Sequence, residues 1–252
     1  MKSFLITLVQ LLFAVFMYSM GCVFFGAAMV PGLALLMKVW NATLSYGTMP
    51  RLFCLGMTLA ATYFLFGLTL VALVGTFRTV FRLRLTEGEF PMFSVQAIQW
   101  AFLSSLYCMI SYTFIDFILL TPFANLLFRM LGAKLGKNVQ FNSKNVFDAS
   151  LLEIGDNSVI GGGAIINGHI VERGKLKLRK VIIGKNVTIG SHSTIMPGCT
   201  IGDRAIIAAS TTLQKDTKVE PRDVWVGMPA ESLREKIRNE KASENEKGVS
   251  NE

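Results

Sequence analysis

From Ile183 onward the chain places an aliphatic residue at every sixth position: Ile183, Ile189, Ile195, Ile201, Ile207, Leu213 and Val219. Four residues after each of the first six stands a small or β-branched one: Val187, Ser193, Cys199, Ala205, Thr211 and Thr217. Glycines follow directly at Gly184, Gly190 and Gly202. The same frame returns upstream at Ile154, Ile160 and Ile166, and after a one-residue offset at Leu135, Phe141 and Phe147. An ordinary amphipathic sandwich would instead alternate with period two and turn at intervals of about 8–12 residues. Six residues make one short flat strand plus a turn, and three such strands close a triangular coil whose aliphatic side chains stack inward. The rhythm therefore predicts a parallel β-helix, a solenoid that buries its core only by stacking coil on coil. Residues 135 to 220 supply about four to five coils, enough for a continuous core.

The N-terminal half has a different pattern. Residues 3 to 37, 52 to 77, 90 to 115 and 117 to 128 contain no Asp, Glu, Lys or Arg. The first three runs exceed the roughly 20 apolar residues that cross a bilayer. They predict membrane spans over Phe4–Met37, Leu52–Phe77 and Pro91–Leu120, with Pro31 breaking the first. That first run is too long for a signal-peptide core and lacks a small-residue cleavage pattern, so it reads as a retained segment. Three spans would set Arg78, Arg82 and Arg84 opposite Arg129, Lys134 and Lys137, whereas basic flanks prefer the cytoplasm. An interfacial stretch, Pro31–Trp40 or Pro122–Leu131, would resolve the conflict, and the pattern leaves the parity open. Asp116 either lines a polar path or sits wet at a span end.

The resulting organisation is a helical transmembrane or interfacial region over residues 1–132, a solenoid over 133–230, and a short charged helix with a polar tail over 231–252. Composition agrees with the split: 52% of the chain is hydrophobic and 17% charged, below the roughly 25% of soluble domains. The net charge of +8 is spread over both halves without a basic stripe, which argues against nucleic acid and for anionic lipid or a phosphorylated cofactor. The four cysteines, Cys22, Cys54, Cys108 and Cys199, form no CxxC pair and read as neither a disulfide framework nor a zinc site. Cys199 reads as a small inward-facing side chain.

The hexad register breaks once, between Ile166 and Ile183, and the break contains Asn167-Gly168-His169-Ile170-Val171-Glu172-Arg173. Interruptions of a solenoid are where sites are built. His169 follows a glycine that admits close backbone approach, has Glu172 three residues on, and carries an imidazole suited to take a proton near neutral pH. Lys175, Lys177, Arg179 and Lys180 alternate with aliphatics in the manner of an exposed two-sided strand. That run is either a solvated hairpin or a surface for lipid headgroups or coenzyme phosphates.

Ile189-Gly190-Ser191-His192, Met196-Pro197-Gly198-Cys199-Thr200-Ile201-Gly202-Asp203, Lys215-Asp216 and Gly227-Met228-Pro229-Ala230 resemble the hexapeptide-repeat acyltransferases, in particular the galactoside and maltose O-acetyltransferase branch. The apolar N-terminal region and His169-x-x-Glu172-Arg173 are more similar to the C-terminal hexapeptide domains of poly-lysine-type nonribosomal peptide synthetases. The resemblance implies an α + β chain of transmembrane helices, a left-handed β-helix and a short C-terminal helix. It implies an enzyme that transfers an acyl group, from acetyl-CoA or another acyl-CoA, to a hydroxyl or amine of a membrane- or envelope-associated acceptor. His169 matches the family's general base, Glu172 would orient the imidazole or contact the acceptor, and Arg173 would hold an anionic group. Gly168 and Ile170 depart from the threonine and proline that flank this histidine in sugar acetyltransferases, which weighs against a sugar acceptor. Gly190-Ser191 matches the turn whose amide stabilises the oxyanion, and His192 is a cleft wall or a second base. Ala208, Ala209, Ser210 and Thr211 match the coil that binds the pantetheine arm, though Ala208 and Ser210 replace glycines, and Lys215 matches a residue near the nucleotide. A homotrimer with His169 facing a neighbour's coils, membrane lipids as surroundings and a multi-pass cell-membrane location with the β-helix in the cytoplasm complete the implied picture. The synthetase likeness implies instead aminoacyl transfer from a carrier-protein thioester, with a carrier protein or synthetase as partner. A non-catalytic trimeric membrane scaffold is the third reading. Zinc chemistry of the γ-carbonic-anhydrase kind needs three imidazoles, and the chain has two.

Overall fold

The computed structural model describes residues 2–238, with side chains from residue 7 onward. The chain divides into two compact units: one comprises the residues through Arg82 together with Ser105–Phe114, the other Leu83–Ser104 together with the chain from Ile115 onward. Leu83–Ser104 thus groups with the coils and not with the long apolar helices.

The first unit is a helical hairpin. Helix α1 spans Lys2–Ala42 and α2 spans Thr48–Val80. Pro31 does not break α1, which runs on through it. A proline inside a helix forfeits one backbone hydrogen bond, a loss that helices in apolar surroundings tolerate. The helices approach closely at Gly32, where a Cβ would meet Thr62 Cγ2 at 2.4 Å, and Thr62 Oγ1 donates to the Gly32 carbonyl at 3.2 Å. Phe24 meets Phe77 edge-on at 5.4 Å, and Arg51 lies 4.4 Å over the Trp40 ring near the closed end of the hairpin. Among the described residues two helices are long and apolar enough to cross a membrane, within Thr7–Ala42 and Thr48–Val80. The expected third span is different. Its run is divided into a strand at Gly88–Pro91, a helix α3 at Val95–Thr113 and a 3-10 turn at Ile115–Phe117. Asp116 is exposed and pairs with Lys144 at 2.7 Å.

The second unit contains the coils. Short parallel strands stack into three sheets in the register the hexads predict. Ile154, Ile183, Ile201 and Val219 align in one, with Leu135 below Ile154. Phe141, Ile160, Ile189, Ile207 and Trp225 align in the second, and Ile166, Ile195 and Leu213 in the third. Residues three hexads apart are thus stacked neighbours, and from Ile183 to Leu213 each is at most 2% exposed. The second inward position is filled by Val187, Ser193, Cys199, Ala205 and Thr211, all fully buried because the coil corner has room only for small side chains. Turn residues with positive φ, Asn157, Asn186, Arg204 and Arg222 among them, recur at one corner. In the upstream coil Val146, not Phe147, pairs with Ile166 and takes the buried position. Residues 233–238 are helical, and the polar tail expected from residue 239 lies outside the described residues.

The hexad break is an antiparallel hairpin, His169–Glu172 with Lys175–Leu178, turned by Arg173 (φ 50°) and Gly174 (φ 73°). Two left-handed residues in a two-residue loop are the turn whose twist suits a hairpin. The strand Gly88–Pro91 pairs with Lys175–Leu178 and makes that strand central in a three-stranded sheet. The basic run is therefore not two-sided and exposed. Leu176 and Leu178 are buried in a small core with Leu85, Ala97 and Leu151, flanked by Phe90, Met92, Trp100 and Leu103, while only the lysines and Arg179 face outward.

Candidate active site

His169 begins the hairpin, where the chain leaves the coil, and its side chain is 25% exposed. Asp148 precedes a 3-10 turn at Ala149–Leu151 and adopts the left-handed conformation (φ 57°, ψ 47°), which aspartate tolerates better than most residues. Its side chain is 1% exposed. Three groups surround the carboxylate: Nδ1 of His169 lies 2.5 Å from Oδ2, the Gly168 backbone N–H donates to Oδ2 at 3.1 Å, and Nε1 of Trp100 donates to Oδ1 at 3.0 Å. The rings of Trp100 and His169 lie 4.7 Å apart at 56°. A buried carboxylate with three nitrogen partners is fully satisfied, as a buried charge must be.

Glu172 does not orient the imidazole. Residues three apart on a strand project to opposite faces, and the Glu172 carboxylate instead meets Lys215 Nζ at 2.6 Å and Lys177 Nζ at 3.2 Å. The Lys215 hydrogen bond, then that from Lys177, holds Glu172 below the usual carboxylate range, and Glu172 raises Lys177 in return. A depressed carboxylate adds stability that is present above the ordinary glutamate range and is lost as pH falls through the lowered value. Lys215→Ala is accordingly expected to move the Glu172 titration up toward the ordinary range, measured by carboxyl carbon NMR. Glu172, Arg173, Lys177 and Lys215 line an open cavity of about 490 Å³. The structure thus brings four of the residues singled out in the sequence together there, Glu172, Arg173, Lys177 and Lys215, while His169 stands with Asp148 and Trp100.

Gly190 and Ser191 occupy a coil turn. A Cβ on Gly190 would lie 2.4 Å from the Ala209 backbone nitrogen, so the next coil requires a glycine. Ser191 is exposed, and its carbonyl accepts from the Ser210 N–H at 2.9 Å, which sets Gly190-Ser191 beside Ala208-Ala209-Ser210 on adjacent coils. His192 is exposed with φ 57°, and its N–H donates to the Gly162 carbonyl at 2.9 Å. Thr211 departs from its expected role: its side chain is fully buried inside the coil and its hydroxyl accepts from the Gly227 N–H at 3.3 Å, leaving no side-chain face for a cofactor. Cys199 is likewise interior, donating to the Gln214 carbonyl at 3.0 Å, and burial pushes its thiol up to about 11. Alkylation of Cys199 by iodoacetamide near pH 8 is expected to run roughly a hundredfold slower in the folded protein than in denaturant, read by peptide mass spectrometry.

Asp148 and Trp100 carry no hexad signature. Asp148 has one signal in the sequence, as a lone charge in the otherwise uncharged run 145–152. Trp100 has none, because its contact depends on the packing of Leu83–Ser104 beside the hairpin.

This hexad solenoid with a histidine-bearing insertion can be set beside known proteins. Residues 180–215 match the family described as bacterial transferase hexapeptide (six repeats). No curated protein matches the sequence. Among solved structures, galactoside acetyltransferase in complex with coenzyme A is similar at 27% identity, over 44% of this chain and 68% of that one, with a TM-score of 0.37. A maltose O-acetyltransferase from Clostridium difficile 630 is similar at 22% identity, over 59% and 92%, with a TM-score of 0.43. A hexapeptide-repeat acetyltransferase from Vibrio cholerae is similar at 20% identity, over 52% and 89%, with a TM-score of 0.43.

Proposed function

We propose that this chain is a membrane-embedded acyltransferase that moves an acyl group, acetyl in the simplest case, from a coenzyme A thioester to a hydroxyl or amine of a membrane- or envelope-associated acceptor. The observation that carries the reading is the 2.5 Å contact between His169 Nδ1 and the buried Asp148 carboxylate, at the one place where the hexad frame opens. A carboxylate against Nδ1 keeps a proton on that nitrogen and leaves the Nε2 lone pair free. Nε2 takes the proton of the attacking hydroxyl or amine, the new bond forms at the thioester carbonyl carbon, and the carbonyl oxygen becomes an oxyanion. A backbone N–H of the Gly190-Ser191 turn stabilises that charge. Collapse breaks the carbon–sulfur bond, and the thiolate takes the proton back from Nε2.

The donor fits the residues present. Ala208, Ala209 and Ser210 are small and partly or fully exposed, which suits a pantetheine arm lying along the coil. Lys215 and Arg173, in a cavity that holds three cations against one carboxylate, suit the phosphates of the nucleotide. The coenzyme supplies the activated thioester; the chain binds it, aligns it and manages the proton.

Membrane embedding rests on α1 and α2, whose mean hydropathies are 2.1 and 2.0 over the candidate windows. Two spans would return the chain to its starting side, and with that side cytoplasmic Arg78 and Arg82, at the end of the second span, would follow the preference of basic flanks for the cytoplasm. Coenzyme A thioesters are cytoplasmic, in agreement with that orientation. A solenoid with one open histidine hairpin per chain is suited to a homotrimer, each His169 facing coils of a neighbour. The domain limits follow the same reading: a membrane region to residue 132, a left-handed acyltransferase β-helix from 133 to 230, and the C-terminal helix beyond.

The test is product analysis with the full chain in nanodiscs, given acetyl-CoA and an extract of membrane and envelope material. Acetyl gain in a lipid or glycan fraction, with free coenzyme A released in equal amount, is the expected result. An amide product that forms only from a carrier-protein thioester, or no transfer from either donor, would sink the proposal.

A further inference from the structure

The His169 hairpin is not held by the coils alone. Leu83–Ser104 lies along it: Gly88–Pro91 extends its sheet, the Leu85 N–H donates to Ser150 Oγ at 3.2 Å, and the Lys180 N–H donates to Glu87 Oε1 at 3.0 Å. Leu85 and Ala97 of this segment share a core with Leu176 and Leu178 of the hairpin. Trp100, on α3, reaches from this layer into the site. From these contacts we infer that Trp100 is a positioning residue of the acyl-transfer site, acting through Asp148: its indole N–H holds Oδ1 so that Oδ2 meets Nδ1 of His169, while its ring closes one side of the imidazole.

The geometry leaves Asp148 few alternatives. Oδ2 is shared by the Gly168 N–H and His169, so Oδ1 depends on Trp100 for its partner, and the carboxylate is too buried to recruit water freely. Trp100→Phe keeps an aromatic face against His169 and deletes only the donor. The carboxylate is then balanced mainly by the imidazole, which favours the protonated ring. The acidic groups of the neighbouring segments are paired with cations. Glu89 meets Lys177 at 3.6 Å and Arg179 at 3.7 Å, Glu172 meets Lys177 and Lys215, and Glu87 meets Lys180 at 3.7 Å. Removal of one indole N–H therefore reads out on His169 without a competing charge taking its place.

The proposal rests on His169 being the base, and the experiment separates the two. The chain has two histidines, so carbethoxylation by diethyl pyrocarbonate, resolved by peptide mass spectrometry, follows His169 with His192 as internal reference. The reagent attacks unprotonated imidazole, and its rate against pH gives a midpoint for each ring. In the full chain in nanodiscs, Asp148→Asn is expected to lower the pH midpoint of the His169 reaction and Trp100→Phe to raise it, with the His192 reaction unmoved in both. A lowered midpoint in D148N with an unchanged or lowered one in W100F overturns the role of Trp100 and leaves the base reading standing. An unmoved midpoint in D148N overturns both. Should W100F fail to assemble, the wild-type indole N–H signal of Trp100 decides the matter. It is one of three in the chain, assigned through Trp40→Phe and Trp225→Phe, and must titrate with His169; a flat signal overturns the proposal.

Discussion

His169→Ala is expected to lower kcat for acyl transfer by ~10²–10⁴-fold, with KM for acetyl-CoA changed by no more than about twofold. The magnitude follows from what the imidazole does. In the proposed mechanism, removing the base would leave water to take the proton of the acceptor, while the donor site proposed along the coil and the oxyanion donor proposed at Gly190-Ser191 would be untouched. The corresponding loss of transition-state stabilisation is about 3–5 kcal/mol. Asp148 acts only through the ring, so the pair is expected to be strongly non-additive: H169A/D148N should be no slower than H169A alone. Asp148→Asn by itself keeps the shape of the site and loses the charge that supports the imidazolium, so its loss in kcat should be smaller than that of H169A. Turnover within threefold of wild type in an assembled H169A protein would exclude His169 as the base. A double variant much slower than either single one would separate Asp148 from His169 and leave the 2.5 Å contact without a catalytic role.

The comparison of pattern and structure has a physical lesson. A six-residue rhythm specifies three things together: strand length, turn position and which side chains face inward. For that reason Ile183, Ile201 and Val219 stack as their spacing demands, and Ser193, Cys199 and Ala205 fill corners too small for anything larger. Periodicity is local information repeated, and a solenoid is a fold made of repeated local contacts. Where the repeat ends, so does the legibility. The hairpin is legible as a gap in the frame and as the alternation from Lys175 to Lys180, but what covers it is not. Its third strand, Gly88–Pro91, comes from a run that reads as part of a membrane span because Phe90, Met92, Phe93 and the residues of α3 are apolar. Apolarity does not distinguish a lipid-facing helix from a layer that covers Leu176 and Leu178.

The candidate site follows the same division. His169 was legible because it sits in the break, and Lys215 because it sits in a repeat. Glu172, expected to orient the imidazole or contact the acceptor, meets Lys177 and Lys215 instead of the ring, since strand alternation carries residues three apart to opposite faces. Asp148 lies 21 residues from His169 and Trp100 lies 48 residues from Asp148. Contacts over such separations are set by how the coils, the hairpin and the Leu83–Ser104 layer pack together. No spacing rule within one element carries them.

Ile195→Ala is expected to lower the unfolding free energy by ~2–5 kcal/mol, the range for deleting a fully buried aliphatic side chain in a core that cannot collapse around the void. Ile195 is fully buried and stands in register between Ile166 and Leu213 in neighbouring coils. Each coil is held to the next by backbone hydrogen bonds such as Thr194 N–H to the Thr211 carbonyl at 2.8 Å, so the coils cannot slide inward to fill the space. A stacked array also transmits the loss, because stability in such a fold is carried by nearest-neighbour interfaces and Ile195 contributes to two of them. Thr194→Ala, one position earlier on the outward face, removes a half-buried hydroxyl and methyl and is expected to stay within about 0.5 kcal/mol. Urea unfolding of the two variants, followed by the far-UV signal of the strands with the apolar helices kept in detergent, measures the contrast. Equal midpoints for I195A and T194A would mean that residue 195 does not face the interior, and the inward stacking of the hexads would fall with it.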